Sequence, residues 1–342
     1  MLPEQKFVQT DDGWALHLLK FSPKKQRFPY PLLCIHGFSQ NHLAFTLGGF
    51  AQELADLGFV TYTVDLRGHG KSQYTSLSDS GDATSIPTWQ VEDYITTDVP
   101  RALKALREWH DGIPAIVCGH SLGGIIAVVL AALKSQQEIA AVIPMASPLS
   151  PGLTTKRVRF ASRVFLRLVK SSRLLRASWQ SAPMDLFFDG MDYAFFGPKF
   201  NLSTLFPLLI RYDSIQVLPR LWHPHNTSQQ VVREILQGSD AEPLGILVQV
   251  ARWMKYDKIL LGLGESEDFI PRFREITQPV LGFWGDEDLL APPTSAGNFF
   301  QLIQSQLYRF QILSKTNHID ITSGLVSRKI ARSIADFVEL SL

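Results

Sequence analysis

The 342-residue chain is poor in cysteine, in long apolar runs and in net charge. Its two cysteines, Cys34 and Cys118, both sit inside short apolar stretches, which excludes a disulfide framework and a paired-cysteine zinc pattern. No run approaches the ~18 apolar residues of a spanning helix. Met1–Lys6 lacks the charged-then-apolar order of a secretory signal, so the expected location is the cytoplasm. With 33 Lys+Arg against 32 Asp+Glu, a net charge of +1 gives no bulk attraction to nucleic acid. Internal repeats and low-complexity stretches are also missing.

What is present is a sizeable core and an alternating rhythm. Hydrophobic residues make up 45% of the chain and charged residues 19%, enough apolar material for one large domain or for a domain with an insertion. Lys6–Thr10 and Trp14–Leu19 flank the turn signal Asp11-Asp12-Gly13 and predict a hairpin. Short apolar strands follow at Leu32–Ile35, Phe59–Val64, Ala115–Cys118, Ala140–Met145, Pro279–Trp284 and Leu307–Ile312. Helical periodicity falls between them, at Leu43–Leu57, Val91–Trp109, Ile125–Leu133, Ser295–Ser305 and Leu325–Leu340. This alternation predicts an α/β fold with a mostly parallel sheet flanked by helices. The rhythm stops after Pro148. The pattern therefore divides the chain into a core of residues 1–149 and 278–342 and a helical cap of residues 150–277, inserted before the next core strand.

Gly119-His120-Ser121-Leu122-Gly123-Gly124 joins an apolar strand to a buried helix. A serine at such a sharp turn, with glycine two places to either side, is a nucleophile elbow. Its hydroxyl is aimed out of the fold beside a helix N-terminus. Serine is a weak nucleophile unless a base lies within reach and a third group orients that base. Gly285-Asp286-Glu287-Asp288 follows one later strand, and Ser314–His318 follows the last. His318 is the candidate base, and Asp288 the candidate acid with Asp286 as its alternative. The oxyanion formed on attack needs two backbone N–H donors. Leu122 is expected to supply one. The loop His36-Gly37-Phe38-Ser39-Gln40 is expected to supply the other, from Phe38 or from its neighbour Ser39.

His36-Gly37-Phe38, Asp65-Leu66-Arg67-Gly68-His69-Gly70-Lys71-Ser72, the elbow, Gly285–Asp288 and His318 occur in an order that resembles the α/β-hydrolase superfamily. The resemblance covers roughly residues 5–148 and 278–340. It implies the α/β-hydrolase fold and a serine hydrolase mechanism of the lipase, lysophospholipase or esterase kind, with no cofactor and no metal. It also implies that Asp65–Ser72 is a structural loop bordering the site. Relatives that act as dehalogenases or epoxide hydrolases carry aspartate at the elbow, so Ser121 favours acyl chemistry.

The cap is rich in apolar clusters, such as Leu186-Phe187-Phe188 and Leu244–Trp253, which favour an apolar acyl ester as substrate. Lys156–Arg176 carries eight cations, and no Asp or Glu occurs from Ser150 to Met184. At helical spacing Lys156, Arg159, Arg163, Arg167, Lys170 and Arg173 share one face, with Phe160, Val164, Phe165, Leu168 and Leu175 roughly opposite. Such a helix offers a peripheral contact with anionic lipid. Trp222-His223-Pro224-His225 has no nearby cysteine or carboxylate run and is not expected to bind metal. Two other readings stay open: an acyltransferase or thioesterase using the same residues, and a hydrolase fold serving as a binding or receptor module with little turnover. Oligomeric state is not legible.

Overall fold

A computed structural model describes residues 2–75, 88–171, 221–262 and 267–342 of the chain. The predicted hairpin forms from β1 (Glu4–Gln9) and β2 (Trp14–Phe21), paired antiparallel around Asp11–Gly13. Strand β3 (Leu32–Ile35) follows, and then two short helices, α1 (Leu43–Thr46) and α2 (Phe50–Asp56). The sequence predicts one helix here, but Gly48-Gly49 breaks it. Gly49 has a φ of 79°, and a Cβ on Gly48 would lie 2.2 Å from Ser323 Cα, so the chain turns where the last helices of the fold press against it.

Next come β4 (Thr61–Val64), β5 (Gln73–Tyr74) and α3 (Val91–Asp93). From α3 the chain passes through one π turn, Tyr94–Asp98, into α4 (Val99–Trp109). Then follow β6 (Ala115–His120), α5 (Leu122–Leu133) and β7 (Ile139–Met145). After β7 the chain leaves the sheet. The described part of this excursion holds α6 (Lys156–Ser171), α7 (Gln229–Gln237), α8 (Leu244–Tyr256) and a small antiparallel pair, β8 (Leu260–Leu261) with β9 (Glu267–Asp268). That pair is a departure from the all-helical expectation. Leu186–Phe188, Arg173, Leu175 and Arg176 lie outside the described residues.

The chain rejoins the sheet at β10 (Val280–Gly285). The helix expected over Ser295–Ser305 is reduced to a 3-10 turn, Pro293–Ala296, and α9 (Phe299–Leu302), because Gly297 turns between them with a φ of 57°. Strand β11 (Tyr308–Leu313), α10 (Asp320–Ser323) and α11 (Val326–Ser341) close the fold.

The large sheet runs β1-β2-β4-β3-β6-β7-β10-β11, with β5 beside β2. Every pairing from β4 to β11 is parallel, while the β1–β2 hairpin joins β4 antiparallel. The central strands are buried throughout, as expected when helices cover both faces. Side chains alternate between two cores: Leu33, Ile35 and Val117 enter one, and Leu32, Cys34, Ile116 and Cys118 the other. Cys34 and Cys118 are register partners inside the second core, and both are free thiols. Among the described residues no helix is long and apolar enough to cross a membrane.

Candidate active site

The elbow follows from the local sequence. Ser121 sits between β6 and α5 with φ 54° and ψ −117°, a region costly for any residue with a Cβ. Its N–H donates to Met145 O at 2.8 Å, and its carbonyl accepts from Gly124 and Ile125 at 3.1 and 3.2 Å. The flanking glycines are required by contact. A Cβ on Gly119 would meet Gly123 O at 2.2 Å, and one on Gly123 would meet Ile35 O at 2.2 Å.

The loops after β10 and β11 bring the two other candidates together. His318 Nδ1 lies 2.7 Å from Asp288 Oδ2. The other oxygen of that buried carboxylate accepts from Leu290 and Ala291 N–H at 2.8 and 2.9 Å, which fixes its plane. Asp286, the alternative, is exposed and accepts the Thr316 N–H at 3.3 Å. Ser121 and His318 then face one cavity of about 370 Å³, whose other described walls are mostly apolar, including Phe38, Ile125, Leu247, Trp253 and Leu290.

The loop after β3 approaches the elbow closely because residue 37 is glycine: a Cβ there would stand 3.0 Å from Ser121 Cβ. Its N–H groups are divided. Gly37 donates to Gln40 Oε1 at 3.1 Å and Ser39 to Glu242 Oε1 at 3.0 Å. Among the described residues the Phe38 and Leu122 N–H groups meet no protein acceptor, and both residues line the cavity. That distribution favours Phe38 over Ser39 as the loop's donor.

Buried histidines hold this arrangement from behind. His120 Nε2 donates to the His318 carbonyl at 2.9 Å, so its ring ties the elbow to the loop that carries the candidate base. Burial and the adjacent His318 lower the pKa of His120 to about 3. His36 accepts from Leu66 N–H at Nε2 and donates from Nδ1 to Gly37 O, which fixes its neutral tautomer. Burial and nearby His69 lower its pKa to about 4. His69 is different. Burial disfavours its charge, but the Glu242 carboxylate, with Nε2 to Oε1 at 3.2 Å, raises it to about 9.

The Asp65–Ser72 loop packs as a structural element. The Asp65 carboxylate accepts from His17 Nδ1, His42 Nδ1 and the backbone N–H of His42 and Lys71. Burial opposes its charge, yet the bonds from His17 and His42 hold it well below the usual carboxylate range. His17, His42 and Asp65 are the cluster with metal-ligand donors among the described residues, but these N–H donors already account for the carboxylate. Arg67 is held the same way, bridging buried Asp98 at 2.7 Å and Asp12 at 2.7 Å.

Residues 221–242 contact these loops at two places that the sequence did not reveal. Asp320, just past His318, accepts from Thr227 Oγ1 and His223 N–H at 2.5 and 2.8 Å, and Ile319 N–H donates to Leu221 O. So His223 docks through its backbone. Asp240 and Glu242 reach the Phe38 loop and His69. A lone acid before Pro243 is too weak a signal to mark Glu242 in advance. On α6, Ser162 and Leu166 are buried while Phe160 is 69% exposed. The apolar face expected around Phe160 and Val164 is thus not the buried one, because α8 packs on a neighbouring stripe and receives Ser162 Oγ at Met254 Sδ.

Comparison with known proteins is consistent with this architecture. Residues 31–189 match the family model for serine aminopeptidase, S33. Curated protein sequences give no match. A membrane phospholipase A described as a bacterial virulence factor superposes with a TM-score of 0.61 at 15% identity, over 99% of this chain and 86% of its own. A Paleococcus ferrophilus monoacylglycerol lipase gives 0.59 at 17% identity, over 96% and 99%. A thermophilic esterase from Thermogutta terrifontis gives 0.57 at 16%, over 99% of both chains. The family match over residues 31–189 and the shared topology show that the chain has the α/β-hydrolase fold.

Proposed function

We propose that the chain is a serine hydrolase cleaving carboxylic esters with medium or long apolar acyl groups. One observation carries the reading: Ser121 and an Asp288-bound His318 open into a single cavity with apolar walls. Ser121 Oγ attacks the acyl carbonyl as His318 Nε2 takes its proton. Asp288 keeps the Nδ1 proton and steadies the imidazolium. The oxyanion takes N–H bonds from Phe38 and Leu122. His318 returns the proton to the leaving alkoxide, and an acyl-Ser121 ester remains. A water that loses its proton to His318 then hydrolyses this ester and regenerates Ser121. The acyl chain occupies the space beside Ile125, Leu247 and Trp253.

Family match and fold support hydrolysis in general, and the apolar walls support the acyl class. A p-nitrophenyl ester series tests both parts. Octanoate is expected to exceed acetate in kcat/KM, and Ser121→Ala is expected to lose roughly 10³-fold or more in kcat. Undiminished Ser121→Ala activity overturns the nucleophile, and a sharp acetate preference overturns the acyl class. Added alcohol acceptors distinguish hydrolysis from transfer, through their ester products.

The same reading includes contact with anionic lipid through α6, where Lys156, Phe160, Arg163 and Arg167 are exposed together. Co-sedimentation with phosphatidylserine vesicles, weakened by Arg163→Glu and by salt, is the expected result. Equal binding to neutral vesicles contradicts it.

A further inference from the structure

Ser39 has a backbone that needs support. Its φ is 55°, uncommon for a residue with a Cβ, and such a conformation persists only where its surroundings impose it. Both of its peptide groups are gripped by one short segment from outside the sheet. The Ser39 N–H donates to Glu242 Oε1 at 3.0 Å, and its carbonyl accepts from Asp240 N–H at 3.1 Å. Asp240 extends the grip by accepting from Asn41 Nδ2 at 2.7 Å and from Gly70 N–H at 2.8 Å.

Glu242 is itself fully enclosed and fully engaged. Its second oxygen accepts from Tyr94 Oη at 3.1 Å, and Tyr94 in turn accepts from Trp89 Nε1 at 2.7 Å. Tyr94 opens the π turn between α3 and α4, a local irregularity of the kind found at functional sites. His69 stands against the first oxygen as an ion pair, its ring not aligned for a straight hydrogen bond. Burial of the carboxylate works against its charge, but His69 brings its pKa below the usual range. A buried carboxylate held from three sides is a rigid acceptor, and it holds the residue next to the candidate oxyanion donor.

We infer that Glu242 is a positioning residue: by holding the left-handed Ser39 it aims the Phe38 N–H at the cavity beside Ser121. The inference rests on the serine hydrolase reading. It makes the segment between β7 and β10 part of the catalytic geometry as well as the cavity wall. In this arrangement the Phe38 N–H acts on the tetrahedral intermediate, so loosening it lowers kcat and leaves KM nearly unchanged.

The test compares Glu242→Gln, which keeps an oxygen acceptor for Ser39, with Glu242→Met, which fills similar volume without one. On p-nitrophenyl octanoate, Glu242→Met is expected to lose about tenfold or more in kcat with KM within about twofold, and octylboronic acid is expected to inhibit it correspondingly less. Glu242→Gln is expected to stay within about threefold of the parent, because amide and carboxylate oxygens accept the same N–H. Equal kcat in the two folded variants overturns the inference, as does a loss confined to KM. A crystal structure of the parent protein's boronate adduct gives a readout that needs no variant. The boronate oxygen is expected at about 2.7–3.1 Å from the Phe38 and Leu122 nitrogens, with Ser39 still on Glu242. A boronate bonded to Ser39 N–H instead overturns the inference. If Ser121→Ala remains active, the hydrolase reading fails first. If only the Glu242 pair is silent, this inference alone fails.

Discussion

Two of the stretches at the cavity, the elbow Gly119–Gly124 and the loop His36–Asn41, have geometries of different origin. The elbow is shaped by its own residues. Gly119 and Gly123 stand where a Cβ would meet backbone oxygen at 2.2 Å, and the strand and helix on either side hold Ser121. The loop around Phe38 is held from a distance, by Glu242 and Asp240, some 200 residues away along the chain. Local steric need leaves a motif in the sequence. Long-range support by single polar residues leaves almost none.

Beyond the nucleophile itself, the largest expected effect belongs to the third member of the site. Asp288→Asn is expected to lower kcat by roughly 10⁴-fold, because the amide presents its N–H to His318 Nδ1 and turns the ring to the wrong tautomer. Asp286→Asn is expected to stay within a few-fold of the parent, since Asp286 is exposed and, among the described residues, bonds Thr316 alone. Reversed effects in an ester assay would move the acid to the other loop position. The Glu242 pair follows in size and asks whether the distant support matters as much as the local turn.

A smaller effect lies in stability against pH, and it separates the histidines behind the two stretches. His36 and His120 have folded pKa values depressed to about 4 and about 3 from an ordinary 6.5. The unfolded chain therefore binds more protons as pH falls below 6.5, and stability declines toward pH 4 and below. His69, raised to about 9, behaves in the opposite sense: its contribution is full below 6.5 and is lost as pH rises through 9. Urea unfolding is expected to show a maximum near pH 6.5. Glu242→Gln is expected to flatten the alkaline side, where His69 loses its partner, and to remove Glu242's own contribution, which is present above the ordinary carboxylate pKa and lost as pH falls. An alkaline limb unchanged in that variant would show that the Glu242–His69 pair contributes nothing to holding the loop. The weakest expected effect is that of α6 charge on vesicle binding, which leaves the cavity untouched.

Much of the core was legible. The hairpin, the parallel strands and the elbow follow from alternation, turn residues and glycine spacing, and each appears within a few residues of its expected place. The broken helix at Gly48-Gly49 had a visible signal, since paired glycines interrupt helices, but the apolar periodicity across it was stronger. In sequence Asp288 is the favoured acid, with Asp286 left open as its alternative. The turn after β10 separates them by burying one beside His318 and leaving the other in water. On α6, amphipathic spacing predicted two faces but not which apolar stripe α8 would cover. Glu242 and Asp320 were silent because their partners come from other elements of the fold.

The central claim is that Ser121 is the reactive nucleophile at this elbow, and it is tested most directly by trapping. The protein is treated with a fluorophosphonate bearing an alkyl chain, then digested and weighed. The account predicts one phosphonyl group on the peptide containing Ser121, blocked by prior octylboronic acid and missing in Ser121→Ala. No adduct, or an adduct on another residue with Ser121 unmodified, would contradict it.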